Sequence, residues 1–333
     1  PPPPPTGSNN PAIASTNYGH VASSQAPIAS TVRSFMGAST PKPNTNYLLD
    51  GNKDLVEIRK TTFEGPGPTD NINDADVKFS GGVARDHFQA PDNTVYLGRI
   101  QGGQVAVTDN TATVAPFTRQ MGPTSAHWLI GLMPGPSSTH TGFFAPVNNV
   151  QTVIGTHSYN LTAATHPTDS FGNVGTLNMA SVTANFSAQT ASAALNLSFS
   201  SSDTVNISSR NLNINASTPS VPIQRDTPAG SLFFESPGLN NKFPPSITCT
   251  GTDCAASYVG EIGGAFGGTA TGTVGTGIGL SYGFMPAPGA NTDNGPDADF
   301  IHGVAVLNTA TAPVTGVTNT FANNANVRHE ARY

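Results

Sequence analysis

The sequence predicts an all-β protein: an antiparallel meander that closes into an eight-stranded type of β-barrel, or packs as a sandwich, with extended low-complexity arms at both ends. Three observations predict this. Apolar residues in the middle of the chain recur at every second position, the period of a strand with one buried and one wet face. No stretch sustains a 3.6-residue apolar period with helix caps, so little helix is expected. Charged residues make up only 10% of the 333, against roughly 25% in an ordinary soluble domain, and Ser, Thr, Asn, Gly and Ala stand in their places.

The clearest element is a hairpin between 175 and 200. Leu177 and Met179 set one apolar phase, which then shifts to Val182, Ala184 and Phe186. A β-bulge at Ala180-Ser181 accounts for the shift, because a bulge re-aims side chains without ending the strand. Ser187-Ala188-Gln189-Thr190 reads as the turn, and Ala191, Ala193, Leu195, Leu197 and Phe199 then alternate with Ser192, Asn196 and Ser198. Runs at Val205 and Ile207, and at Leu212 and Ile214, are read as two further strands of a four-stranded meander over 155–216.

Taken in order, residues 1–46 form a Pro/Ser/Asn-rich arm whose only charges are Arg33 and Lys42. Such a segment cannot bury enough apolar surface to order itself. Its scattered apolar residues Ile13, Tyr18, Val21, Ile28, Val32 and Phe35 are candidate assembly residues, suited to a groove or to an open sheet edge of a neighbouring copy. Residues 47–125 form a β-rich N-terminal region with runs at 55–58, 77–79, 94–100 and 104–107, separated by glycine-containing turns. A barrel domain is expected over 126–284, from the strand-like His127-Trp128-Leu129-Ile130 to the evenly spaced Ile278, Leu280, Tyr282 and Phe284. Residues 285–333 add a strand at 300–307 and a coil.

Cys249 and Cys254 flank a Gly/Asp-containing turn and are expected to close a small disulfide loop in an oxidising compartment, a two-ligand metal site being the alternative. The net charge of −6 offers no basic footprint, so nucleic acid is not an expected partner. No run of 18 apolar residues could span a bilayer as a helix. A start at Pro1 without Met is expected of a processed product whose targeting peptide has been removed, which places the chain outside the cell or on its surface. The eight histidines show no metal-ligand spacing, and no glycine-rich phosphate loop occurs. No catalytic residue and no cofactor is therefore expected. Calcium is the one metal with candidate ligands, in the acidic turns holding Asp70, Asp74 and Asp76, and Asp293, Asp297 and Asp299. Plain solvated turns are the competing reading. Five Asn-x-Ser/Thr sequons fall at Asn160, Asn185, Asn196, Asn206 and Asn215, on the outward phase of strands.

Several of these segments together resemble a known family. Gly155-Thr156-His157-Ser158-Tyr159-Asn160-Leu161, Gly172-Asn173-Val174-Gly175-Thr176-Leu177, Gly264-Ala265-Phe266-Gly267-Gly268 and Gly279-Leu280-Ser281-Tyr282 resemble the C-terminal β-barrel of transferrin-binding-protein-like bacterial surface proteins, over roughly 126–284. The resemblance implies a hairpin meander closing into an eight-stranded barrel, and a surface protein that binds a partner protein or nutrient through its loops.

Two functions follow as expectations. The first is a non-enzymatic exported structural protein, a homo-polymer forming a filament, sheath or matrix through its arms. The second is a cell-surface binding protein with a site built on the loops 219–257 and 285–299. A carbohydrate-binding domain is disfavoured by the single Trp, which leaves few rings for sugars to stack on.

Overall fold

The computed structural model describes residues 18–23, 46–52, 54–63, 72–89, 95–122, 124–131, 152–200, 210–226, 232–236, 243–267, 277–287, 300–309, 314–316 and 323–324, and every regular element among them is a strand. The N-terminal part holds β1 (Tyr18–Ser23), β2 (Asn46–Leu49), β3 (Leu55–Phe63), β4 (Ile72–Ser80), β5 (Val83–Gln89), β6 (Val95–Gln101), β7 (Gln104–Asp109), β8 (Phe117–Gln120) and β9 (Ser125–Gly131). They form two sheets, β2-β3-β4-β7-β8 and β1-β9-β6-β5. Alternation explains their packing. Leu55, Ile58, Val77, Val105 and Val107 of the first sheet meet Tyr96, Ile100, Trp128 and Ile130 of the second in one core. Trp128 fits because Gly98 is its cross-strand partner, and a Cβ there would lie 2.5 Å from the indole Cζ2.

The rest of the described chain gives β10 (Thr152–Ile154), β11 (Thr156–Ala164), β12 (Thr176–Asn185), β13 (Thr190–Phe199), β14 (Leu212–Ser217), β15 (Val221–Pro222), β16 (Gln224–Asp226), β17 (Leu232–Ser236), β18 (Ser246–Thr250), β19 (Tyr258–Gly267), β20 (Gly277–Pro286), β21 (Ile301–Asn308), β22 (Val314–Gly316) and β23 (Asn323–Asn324). Here β14, β15 and β16 follow one another along a single run: β14 and β15 both pair with β13, and beyond Ile223 β16 pairs with β17. On the far side of that run, β18 continues alongside β14. With β14–β16 and β17–β18 each taken as one interrupted strand, each of the eight strands is antiparallel to the next in sequence, and β21 pairs back onto β11. The ring is an up-and-down barrel, the closure that removes free edges. Residues of a single phase line its inside, among them Leu195 and Leu197 of β13, Ile214 of β14, and Ile278, Leu280 and Phe284 of β20. Phe266 sits at the centre of an aromatic group, with ring centroids 5.2 Å from Phe186, 5.7 Å from Phe234 and 5.9 Å from Tyr159.

The bulge in β12 lies elsewhere than the sequence pattern places it. The register shifts between Leu177 and Met179, so Asn178 is the extra residue. Asn178 and Met179 both turn outward, and Ala180, Val182 and Ala184 take the inner phase. The four-stranded meander is β11–β14, with β13 bonded directly to β14; Val205 and Ile207 lie outside the described residues.

The middle sheet is covered on both sides. Its second face, carrying Val95, Leu97 and Leu129, packs on the outside of the barrel against Phe233, Ala265, Val304 and Val306. Strand β1, the described part of the N-terminal arm, pairs with β9 of its own chain over the whole of Tyr18–Ser23.

Replacing Phe266 with Ala removes the ring shared by three aromatic neighbours and is expected to destabilise the fold by about 3–5 kcal/mol. Urea unfolding checks this through a lowered midpoint at unchanged slope; a midpoint close to that of the parent would refute the packing account.

Candidate functional site

Two polar features are built onto this frame: a buried seam where barrel and middle sheet meet, and an outer wall on the opposite side of the barrel. The seam begins with the connection between β11 and β12. Thr165 N–H donates to Val304 O at 3.0 Å, and Thr168 and His302 exchange both backbone hydrogen bonds, so residues 165–168 extend the pairing along β21. The chain then folds back on itself through Gly172, whose φ of 86° suits a residue without a Cβ. Asp169 holds that turn. Its Oδ1 accepts from Phe171 N–H at 2.9 Å and Asn173 N–H at 2.8 Å, and its Oδ2 accepts from the Asn173 amide at 2.7 Å and from the Arg210 guanidinium. Asp169 is the only charged side chain between Ser137 and Ser202, and it is fully buried. A buried carboxylate persists only when its lone pairs are filled and its charge is matched.

His127 of β9 is buried beside it. Thr165 Oγ1 donates to Val304 O at 3.3 Å and accepts from Val304 N–H, which spends its one hydrogen. Nδ1 of His127, 2.7 Å from that oxygen, is therefore assigned as the donor, and Nε2 accepts from the Thr168 hydroxyl at 2.7 Å. Both ring nitrogens are committed to joining the two layers. The His302 ring meets the His127 ring edge-on, with centroids 4.6 Å apart. Across the sheet from His127, Arg99 donates from Nε to Asp86 at 2.7 Å and from Nη1 to Ser125 Oγ at 3.2 Å. Asp86 also accepts from the His166 backbone N–H and lies 2.8 Å from His166 Nδ1, which ties β5 to the barrel. Burial works to raise the Asp86 pKa, but the hydrogen bond and charge of Arg99 and the contacts from His166 outweigh it and hold the carboxyl below its ordinary value. Burial, with the Asp86 charge adding to it, pushes the Tyr282 phenol up, so that ring stays neutral.

The outer wall is made of β12, β13, β14 and β18. Their inward phase fills the barrel; their outward phase presents Ser181 and Thr183, Ser192 and Ser198, Ser217, and Thr248. None of the four strands carries Asp, Glu, Lys, Arg or His. Across β12, β13 and β14 runs an amide ladder. Asn178 Nδ2 donates to Asn196 Oδ1 at 2.7 Å and to Ser198 Oγ at 3.1 Å. Asn196 Nδ2 in turn donates to Asn213 Oδ1 and Asn215 Oδ1, both at 2.8 Å. Asn178 reaches the ladder because it is the bulged residue, and the same bulge leaves Met179 42% exposed beside it. Among the described elements, none packs on this wall. At one end, Cys249 of β18 is joined in a disulfide to Cys254 beyond the strand. The loop they close is held to the barrel by Asp253, which bonds Asn211 in both directions.

The sequence-derived candidates distribute as follows. Asp74 and Asp76 share the Asn110 amide as hydrogen-bond donor, at 2.8 and 3.0 Å. Asp70, Asp293, Asp297 and Asp299 lie outside the described residues, as do Ile13, Ile28, Val32 and Phe35. Among the described residues, no three His, Cys, Asp or Glu gather as metal ligands. Tyr18 and Val21 belong to β1, and the structure pairs them with their own chain. The loops proposed at 219–257 and 285–299 are described only in part. Sequence reasoning brought together neither His127 with His302 nor the four asparagines, since both depend on register between distant strands.

The chain matches no family model, and no curated protein matches it. Among solved structures it is similar to the isotype 1 transferrin binding protein B of serogroup B Neisseria meningitidis, with 10% sequence identity and a TM-score of 0.25, over 84% of this chain and 69% of that one.

Asp169→Asn removes the carboxylate charge paired with the buried Arg210 guanidinium and is expected to cost about 3–5 kcal/mol, measured by urea unfolding; a second change, Arg210→Met, is expected to recover part of the loss. The Asp86 contribution depends on pH. Because its folded pKa is depressed, its stabilisation is complete above the ordinary aspartate value of ~3.9 and is lost as pH falls through the depressed one. Asp86→Asn is therefore expected to flatten the acid side of the stability profile, and an unchanged acid side would exclude this role.

Proposed function

We propose that the chain is a non-enzymatic binding protein of the extracellular space or cell surface, and that it meets its partner through the outer wall of β12, β13, β14 and β18. One observation carries the reading: a wall four strands wide without a single charge, its amides already locked into one arrangement. Pre-ordered side chains lose little rotamer freedom on binding, which is what a recognition surface gains from such a ladder. The disulfide supports an oxidising location. The polymer reading draws on the N-terminal arm, and the described part of that arm completes its own sheet instead.

Sedimentation of the full chain separates the two. A single monomeric species across the micromolar range is expected; pelletable polymers or filaments in electron micrographs would overturn the binding-protein reading.

A further inference from the structure

We propose that the partner of the outer wall is an uncharged polysaccharide, laid across β12, β13, β14 and β18. The inference rests on the binding-protein reading and specifies its ligand class. Charge decides between ligands. An ordinary protein surface carries charged groups on roughly a quarter of its residues, and each one docked here would lose water against a wall that offers no counter-charge. Polyanionic glycans meet the same penalty. A neutral polymer of hydroxyl groups meets none.

The hydrogen-bonding inventory fits the same ligand. Asn196 is saturated: both amide hydrogens and its carbonyl oxygen are used in the ladder. The groups around it are not. Asn178 gives its amide to the ladder and keeps its carbonyl oxygen, while Asn213 gives its carbonyl oxygen and keeps its amide. Acceptor and donor thus flank the ladder on opposite sides, interspersed with the hydroxyls of Ser192 and Ser217, which serve as either, and of Thr248, which gives its hydrogen to Asn215 O and is left as an acceptor. Sugar hydroxyls also serve as either, so they can follow this pattern without a mismatch.

Geometry and an exposed apolar side chain on the wall complete the argument. Adjacent strands lie ~4.8 Å apart, the scale of a sugar ring, so a chain running across the strands meets each of them in turn. Met179, exposed beside Asn178, offers a flexible apolar contact for the C–H face of a ring. No aromatic platform lies in the wall strands, so each contact is weak and binding accumulates along a repeating polymer.

Affinity electrophoresis of the full chain through gels containing dextran, mannan, galactomannan or xyloglucan tests this, with heparin and alginate as charged counterparts. Retardation by at least one neutral polymer and by neither charged one is expected, with the same retardation at low and high salt because no ion pair forms. Thr248→Lys places a charge on an exposed position outside the ladder, and Asn213→Leu removes the spare amide. Each is expected to weaken binding about tenfold, the effect of roughly 1.4 kcal/mol, with thermal unfolding reporting that the barrel is intact. Indifference to all four neutral polymers overturns the proposal, as does retardation by heparin or alginate, or neutral binding untouched by both variants. A monomer that binds no glycan overturns only the ligand class. Self-association abolished by Thr248→Lys would assign the wall to a second copy and overturn it as well.

Discussion

The two faces of β21 are spent on different cores. Ile301, Ala305 and Leu307 point into the barrel, while Val304 and Val306 point out against Val95, Leu97 and Leu129 of the middle sheet. The strand also closes the barrel, bonded to β20 on one edge and β11 on the other. A strand that must be apolar on both sides cannot show alternation, and Phe300-Ile301-His302-Gly303-Val304-Ala305-Val306-Leu307 does not. The two residues in it that are not apolar side chains are both accounted for by neighbours: His302 meets His127, and Gly303 leaves room for Tyr282, whose hydroxyl would stand 2.4 Å from a Cβ there. The seam, the barrel and the three-layer stack all depend on this one segment.

Polarity is handled differently on the two sides of the barrel. At the seam, charges are few and the carboxylates are matched: Asp169 by Arg210 and Asp86 by Arg99, with His166 hydrogen-bonded to Asp86. On the outer wall charge is absent, and the asparagine side chains bond one another sideways along the sheet. Cross-strand amide and hydroxyl pairs of this kind contribute to sheet stability in the same way as packed apolar pairs. A sheet can therefore be wet and neutral and still specify its register.

What the sequence shows of this is set by range. The strict alternation of Ala191, Ala193, Leu195, Leu197 and Phe199 is local, and it identifies β13 and its buried face directly. The bulge in β12 is detectable as a phase shift, but its position is obscured because Met179 is apolar and faces out while Ala180 is small and faces in. The inward preference of a methionine outweighs the weak signal of an alanine in any reading by hydrophobicity. The asparagine ladder needs the pairing of Asn196 with Asn215 and the outward turn of Asn178, and neither exists before the strands are in register. The meeting of His127 with His302 is more remote still, since it joins strands from different sheets.

Barrel closure through β11 and β21 carries a consequence for how the molecule is made. The strand that opens the barrel is synthesised long before the strand that seals it, and until the two join, each has an edge of unpaired amides and carbonyls. Contacts of such long sequence separation form late and slowly. During that interval the nascent barrel is a sticky, incomplete cylinder whose edge has to stay occupied or protected until the final strand arrives.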